Sequence, residues 1–128
     1  MGKVESVLNG CRLVDKIAVH VNGYFDFATA IVVPNEENIR QLAAALGKRL
    51  DDLIGLYKDA DLEKAVAEEL IRFGMENGLV LLELPAYVRL VPEKWTTENG
   101  LVTETKKIRR KPIYQFYKEL IDSMYKSV

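Results

Sequence analysis

The chain of 128 residues has a single cysteine, Cys11, and a single histidine, His20. One cysteine cannot form an internal disulfide or a thiolate cluster, and one histidine excludes every metal site that needs two imidazoles. No apolar run approaches the roughly 20 residues that a membrane-spanning helix needs, and no basic start followed by an apolar stretch suggests a signal peptide. We therefore expect an intracellular domain that binds no metal.

An excess of charge of either sign is also missing. The 18 basic and 19 acidic side chains give a net charge of −1 and an isoelectric point near 5.9. Such a chain has no overall field that would attract nucleic acid. With 48% hydrophobic and 29% charged residues, the composition predicts one globular domain with a genuine core. Any positively charged site must therefore be local.

One local concentration of positive charge is present at 105–111, T-K-K-I-R-R-K. Its basic members are Lys106, Lys107, Arg109, Arg110 and Lys111. The segment could be a solvated loop, a nuclear-localisation or nucleic-acid patch, or a site for a phosphate-bearing small ligand. In the last case lysine would act as a mobile point charge and arginine as a bidentate clamp. The spacing does not choose between these readings, although a nucleic-acid patch usually comes with further basic faces, which this chain lacks.

Strand patterns occur in three places. Apolar segments at 17–21 and 25–33 flank Asn22-Gly23, a dipeptide that suits the two-residue turn of a β-hairpin. The far end of the second segment is almost entirely apolar, which predicts a strand covered on both faces. A third strand is predicted at 86–91, where apolar and polar residues alternate.

Helical spacing of apolar residues accounts for most of the remaining chain. The predicted helical segments lie within 3–10, 36–46, 50–57, 62–77 and 113–124. Gly10 and Gly47 are placed to end the first two in a left-handed conformation, Asn35 to cap the second, and Pro112 to open the last. Together these elements predict an α+β domain with a small mixed sheet, a β-hairpin and three to four packed helices.

The remaining reactive side chains fit structural roles better than catalytic ones. Trp95 lies in a polar loop and is predicted to anchor that loop to its own domain. Cys11 lies beside apolar residues and is predicted to be a buried, inert thiol, and His20 falls inside a strand with no evident partner. The paired carboxylates at 36–37, 51–52 and 68–69 fit solvated helix faces. The residues by themselves thus give one positive loop and no complete catalytic set.

Longer strings resemble a known family. The string W-T-T-E-N-G-L-V-T-E-T-K-K-I-R-R at 95–110 resembles the carboxy-terminal signature of eukaryotic long-chain acyl-CoA synthetases, of the adenylate-forming superfamily, which usually reads W-T-x-E-x-G-L-x-T-x-x-x-K-x-K-R. Three further strings are similar to this family in the same order and with similar spacing: G-K-V-E-S-V-L-N-G-C-R-L-V-D at 2–15, V-V-P-N at 32–35 and Y-K-E-L-I-D-S-M-Y at 117–125. The resemblance covers nearly the whole chain.

The resemblance implies a domain and its partners. Residues 1–128 would be the small, mobile carboxy-terminal lid of a long-chain fatty acid CoA ligase, and the large amino-terminal domain would be its partner. That domain and the hinge before G-K-V-E are missing, so we expect the chain alone to be inactive. The substrates would be fatty acid, ATP and coenzyme A, with Mg²⁺ as a cofactor. Family members are usually attached to the cytosolic face of endoplasmic reticulum, mitochondrial outer or peroxisomal membranes.

The resemblance also implies roles for the basic residues. In the family, ATP and a fatty acid give an acyl-adenylate and pyrophosphate, and coenzyme A then displaces AMP. Lys107 aligns with the lysine that enters the active site for the first step, and Arg110 with the arginine of the motif. Arg109 and Lys106 are assigned to the nucleotide as well. Because Lys106 stands where an apolar residue is common, a slip of one position would make it the active lysine instead.

One reading from another class stays open. The chain could be a stand-alone binding or regulatory module that docks through its basic loop on phosphate groups, an acidic membrane or a protein. Such a module would bind its partner without the missing domain. A lid, by contrast, would associate weakly through a polar surface, because its interface must open.

Overall fold

A three-stranded mixed sheet forms the centre of the protein. The computed structural model describes residues 3–22 and 27–126. The strands are β1 (Val14–Val21), β2 (Ala28–Pro34) and β3 (Pro85–Leu90), in the spatial order β1-β2-β3. Strand β1 pairs with β2 in antiparallel fashion, whereas β3 pairs with β2 in parallel. The predicted mixed sheet is confirmed.

Six α-helices surround the sheet within the described ranges. They are α1 (Lys3–Leu8), α2 (Glu36–Ala45), α3 (Leu53–Tyr57), α4 (Ala60–Glu76), α5 (Arg110–Phe116) and α6 (Lys118–Lys126), and a 3₁₀ turn spans Leu81–Glu83. Helices α2 to α4 form the crossover that parallel strands require between β2 and β3. The α+β class is confirmed. There are more helices than the three to four expected, because the predicted last helix is divided in two and the short segments α1 and α3 are also helical.

Local signals fix the helix ends. The Asn35 side chain accepts a hydrogen bond from the Asn38 backbone N–H at 3.1 Å, so Asn35 is the predicted cap of α2. Gly47 and Gly78 follow α2 and α4 with φ values of 76° and 92°. Glycine adopts this left-handed conformation without the steric cost that a side chain brings, so Gly47 ends α2 as expected and Gly78 ends α4 in the same way.

The sheet separates two hydrophobic cores. Every residue of β2 is buried, which confirms the prediction that its apolar end is covered on both faces. On one face Val32 packs in a core with residues of α1, α2 and α4. On the other face Ile31 and Val33 pack with Trp95 and with residues of α5 and α6. The segment that follows β3 therefore rests on the second core.

Three local predictions differ from the structure. The first is the turn between β1 and β2. Val21 pairs with Ala28, so residues 22–27 join the two strands, and the prediction of a two-residue turn at Asn22-Gly23 is wrong. Residues 23–26 of this connection lie outside the described part.

The second is Gly10, which does not have a positive φ. A Cβ at this position would lie 3.4 Å from the Phe73 ring. Close packing against Phe73, rather than a left-handed turn, thus accounts for this glycine.

The third difference is the break in the last predicted helix. The backbone leaves helical values at Tyr117 (φ −105°, ψ 22°), and α6 begins at the next residue. The break shifts the phase of the apolar stripe. Tyr117 is consequently buried, whereas its neighbour Phe116, an apolar residue of the same predicted helix, is 58% exposed.

A buried ion pair ties the first helix to the fifth at the open edge of β1. The Glu5 carboxylate is only 2% exposed and accepts a hydrogen bond from the Val19 N–H at 2.7 Å. Both terminal nitrogens of Arg110 bond to the same carboxylate. The Tyr114 hydroxyl donates to the Val19 carbonyl at 2.7 Å. Glu5 and Tyr114 thereby satisfy the two backbone groups that Val19 would otherwise leave unpaired at the sheet edge.

Replacing Arg110 with methionine tests this arrangement. Arg110→Met leaves the Glu5 carboxylate buried without its counter-charge, and we expect the free energy of unfolding to fall by about 2 kcal/mol. The loss stays below that of a fully buried pair because the Arg110 side chain is 40% exposed. Urea unfolding followed by the fluorescence of Trp95, the one tryptophan, gives the measurement.

A surface arginine supplies the control. Arg72 bridges Glu69 and Glu76 on the exposed side of α4, so Arg72→Met should change stability little. Adding Glu5→Gln to Arg110→Met removes the uncompensated charge and should recover part of the loss. Equal unfolding curves for Arg110→Met and Arg72→Met would show that the Glu5–Arg110 pair contributes no more to the free energy of unfolding than a surface ion pair does.

Candidate active-site loop

A buried tryptophan anchors the segment between β3 and α5 in the second core. Trp95 is 5% exposed, and its indole N–H donates to the Tyr117 hydroxyl at 3.0 Å. The Tyr117 hydroxyl in turn donates to a Glu93 carboxylate oxygen at 3.0 Å. Burial raises the pKa of the Tyr117 phenol, which keeps its proton available for this contact. Trp95 is therefore the anchor that the sequence predicted.

The basic residues begin on a small β-hairpin that follows this anchor. Val102 and Ile108 form an isolated antiparallel bridge. Between them, the Thr103 N–H donates to the Lys107 carbonyl at 2.8 Å, and the Lys106 N–H donates to the Thr103 carbonyl at 2.9 Å. Lys106 has a φ of 67°, the one positive value of a non-glycine residue among those described. This is the three-residue hairpin loop whose last position is left-handed and usually glycine.

Alternation along the hairpin separates an inner from an outer side. Val102 is buried and Ile108 is half-buried against the second core. Neighbouring residues of an extended segment point to opposite sides, so Lys107 points outward. Lys106 and Lys107 are both exposed, and neither side chain forms an ion pair within residues 3–22 and 27–126.

Arg109 and Lys111 differ from the two lysines in their surroundings. Arg109 caps α5, and its guanidinium donates to the Gly100 carbonyl at 3.2 Å, across the base of the loop. Gly100 has a φ of 78°, so the turn that brings its carbonyl there favours glycine. Lys111 is exposed in the first turn of α5. The loop thus holds one arginine against its own backbone and leaves the lysines exposed.

Arg110 lies apart from the outer face of the hairpin. Its guanidinium is bound to Glu5 and lies 3.4 Å from the Tyr114 hydroxyl, in the arrangement at the sheet edge. Its predicted role in nucleotide binding stays a prediction. Sequence reasoning missed both Glu5 and Tyr114. One signal for Glu5 was available in the sequence. Glu5 lies three residues before Leu8 on a short helix and so shares the face of that helix that is buried.

The other residues considered for chemistry have structural surroundings. The His20 ring packs edge-on against Tyr114, and its Nδ1 lies 3.1 Å from the Tyr125 hydroxyl. Burial lowers the pKa of the His20 imidazole, although the Asp122 carboxylate opposes this shift. Cys11 is 3% exposed, and burial raises the pKa of its thiol, which disfavours the reactive thiolate.

Metal-binding and membrane-spanning features were sought in the described ranges. No group of three or more histidine, cysteine, aspartate or glutamate side chains there could hold a metal ion. Within those ranges there is therefore no cluster that fits the Mg²⁺ implied by the resemblance. None of the helices in the same ranges is both long and apolar enough to cross a membrane.

Comparison with curated proteins identifies relatives over almost the full chain, although no family model matches it. The chain is 33% identical over 125 residues to long chain acyl-CoA synthetase 8 of Arabidopsis thaliana and 35% identical over 130 residues to long-chain-fatty-acid–CoA ligase 1 of Saccharomyces cerevisiae. Each match covers 98% of this chain but only 17% and 19%, respectively, of the relative. The chain thus spans less than a fifth of the length of either protein.

Solved structures share the fold. The adenylation domain of the carboxylate reductase from Mycobacterium chelonae superposes with a TM-score of 0.78 at 23% identity, covering 96% of this chain and 17% of that one. The A domain of the carboxylic acid reductase from Segniliparus rugosus, solved with AMP and a carboxylic acid, also gives 0.78 at 23% identity, covering 98% and 18%. This chain is therefore a relative of the long-chain acyl-CoA synthetases that matches one segment of these larger proteins, and it has the fold of part of an adenylation domain.

Proposed function

We propose that this chain acts as the carboxy-terminal lid of an ATP-dependent, AMP-forming long-chain fatty acid CoA ligase. The full-length enzyme would convert fatty acid, ATP and coenzyme A into acyl-CoA, AMP and pyrophosphate. Homology to synthetases of this class along 98% of the chain supports the proposal, as does the small share of each relative that the chain spans. A larger domain would supply most of the nucleotide and acyl sites.

The observation that carries this proposal is a free lysine on a rooted hairpin. Lys107 is exposed and its ammonium has no ion-pair partner in the described ranges, while Trp95 and Val102 fix the base of the loop in the core. When the fatty-acid carboxylate attacks the α-phosphorus of ATP, two negatively charged groups come together. A cation placed at that point therefore stabilises the transition state more than the ground state. The flexible lysine stem suits a charge that enters from a separate domain and later withdraws.

Backbone geometry favours Lys107 over Lys106 for this role. Lys107 is held in the hairpin by backbone bonds to Thr103 and points outward, opposite to Ile108. Lys106 occupies the left-handed corner position, where its side chain leaves the hairpin in a different direction. We therefore assign the delivered charge to Lys107. Lys106 and Lys111 would face phosphate or the partner domain.

The two arginines would contribute less directly. Arg109 is exposed and could turn from the Gly100 carbonyl toward a phosphate, for which its guanidinium is well suited. Arg110 would first hold α5 to Glu5 and so fix the exit of the loop. ATP, coenzyme A and Mg²⁺ would bind largely to the partner domain, and no step proposed for this chain runs through a metal. The resemblance would place the full-length enzyme on the cytosolic face of an organelle membrane; one relative is named as peroxisomal.

Replacing Lys107 with alanine in the full-length protein tests the catalytic role. We expect fatty-acid-dependent exchange of pyrophosphate into ATP to fall by about 100-fold or more, because a preorganised charge is lost from the transition state. Conversion of supplied acyl-adenylate and coenzyme A to thioester should persist. Lys106→Ala is the matched control and should change the exchange little. If Lys106→Ala abolishes exchange and Lys107→Ala does not, the active lysine is Lys106.

The chain by itself should turn over nothing. One cation without the larger domain has neither substrate sites nor further catalytic groups, so purified residues 1–128 mixed with ATP, a long-chain fatty acid and coenzyme A should give no acyl-CoA above background. Thioester formation measured by mass spectrometry checks this, with the full-length protein as the positive control. Acyl-CoA production by the isolated chain would contradict the lid assignment.

A further inference from the structure

Thr103 makes an unusual number of contacts with the two lysines of the hairpin. Its N–H donates to the Lys107 carbonyl at 2.8 Å, and its carbonyl accepts from the Lys106 N–H at 2.9 Å. Its hydroxyl accepts from the Lys107 N–H at 3.1 Å and lies 3.1 Å from the Thr105 hydroxyl. Both backbone polar groups of Lys107 are therefore held by one residue.

The hydroxyl is the acceptor that the structure gives the Lys107 N–H. The Thr103 carbonyl accepts from the Lys106 N–H, and the Lys107 N–H donates to the Thr103 side chain. A residue without a hydroxyl would leave this N–H to water. The backbone at Lys107 would then keep one bond to Thr103 rather than two, at the position from which the lysine side chain starts.

The corner residue makes this second bond more important. Lys106 adopts a left-handed conformation that is strained for a residue with a side chain, and residues 104–106 of the turn contain no glycine that would relieve the strain. Contacts around the corner must therefore hold the turn in this form. Residues 103–105 are all exposed, and among them Thr103 supplies the described bonds to the backbones of Lys106 and Lys107.

We propose that Thr103 is a positioning residue for Lys107, which its hydroxyl and backbone hold in the orientation needed to reach the reacting phosphate. This inference rests on the proposed function of Lys107 and adds a residue through which that lysine acts. The hydroxyl contacts the Lys107 backbone N–H and the Thr105 hydroxyl, and the proposal needs no contact between it and substrate. Its loss should therefore impair adenylation through misplacement and leave the second half-reaction intact.

Amide hydrogen exchange of the chain tests the contact independently of activity. In Thr103→Val, which keeps the branched side chain without the hydroxyl, the protection of the Lys107 amide should fall by about five-fold, the effect expected of one exposed hydrogen bond. Thr103→Ser should restore the protection, and Thr105→Val should leave it unchanged. Urea unfolding should be alike for all variants. Unchanged Lys107 protection in Thr103→Val would overturn the contact, and with it the proposal.

The two half-reactions of the full-length protein test the consequence. Pyrophosphate exchange should fall by about 10-fold or more in Thr103→Val, as expected for a misplaced catalytic group, and return in Thr103→Ser. Thioester formation from supplied acyl-adenylate should stay at the wild-type rate. Normal exchange in Thr103→Val despite lost amide protection would refute positioning. If Lys107→Ala also exchanges normally, the proposed function itself fails, whereas the amide measurement still reports whether the contact exists.

Discussion

The buried carboxylate of Glu5 is the constraint on which the arrangement of the loop depends. A charge that is 2% exposed would be costly without compensation, and here the Arg110 guanidinium and the Val19 N–H provide it. Glu5 and Arg110 are 105 positions apart in sequence, so the pair fastens the helix at one end of the chain to the helix that leaves the basic loop. The same contact covers the open edge of β1, and the exit of the loop is thereby fixed to the sheet.

The entrance of the loop is held by different chemistry. Trp95 is buried and hydrogen-bonded through Tyr117 to Glu93, so the segment after β3 enters the second core before it turns outward. With both ends anchored, the hairpin would move together with the domain in the proposed lid role, and the lysine side chain would supply the remaining reach. This division suits a lid, because a charge can be carried over a distance by rotation of the domain and still arrive in a defined orientation.

Local patterns predicted the parts of the fold that local physics decides. The cap at Asn35, the left-handed end at Gly47 and the doubly covered strand β2 follow from neighbouring residues and are found. The features that sequence reasoning missed depend on distant contacts. The break at Tyr117 turns its phenol toward Trp95 and Glu93, 22 and 24 positions away. No periodicity within a single helix contains that information.

At the candidate site, too, the sequence pattern alone leaves out information that the backbone conformation supplies. Composition identified the basic run, and the resemblance favoured Lys107 because Arg110 then keeps its spacing in the motif, but a slip of one position to Lys106 stayed open. Their backbones differ: one occupies a left-handed corner, and the other is bonded on both sides to Thr103. A catalytic charge must arrive in one orientation, which favours the lysine whose backbone is held. In the proposed function the corner lysine, whose side chain is not needed at the reacting phosphate, would add positive charge to the field that an anionic ligand meets.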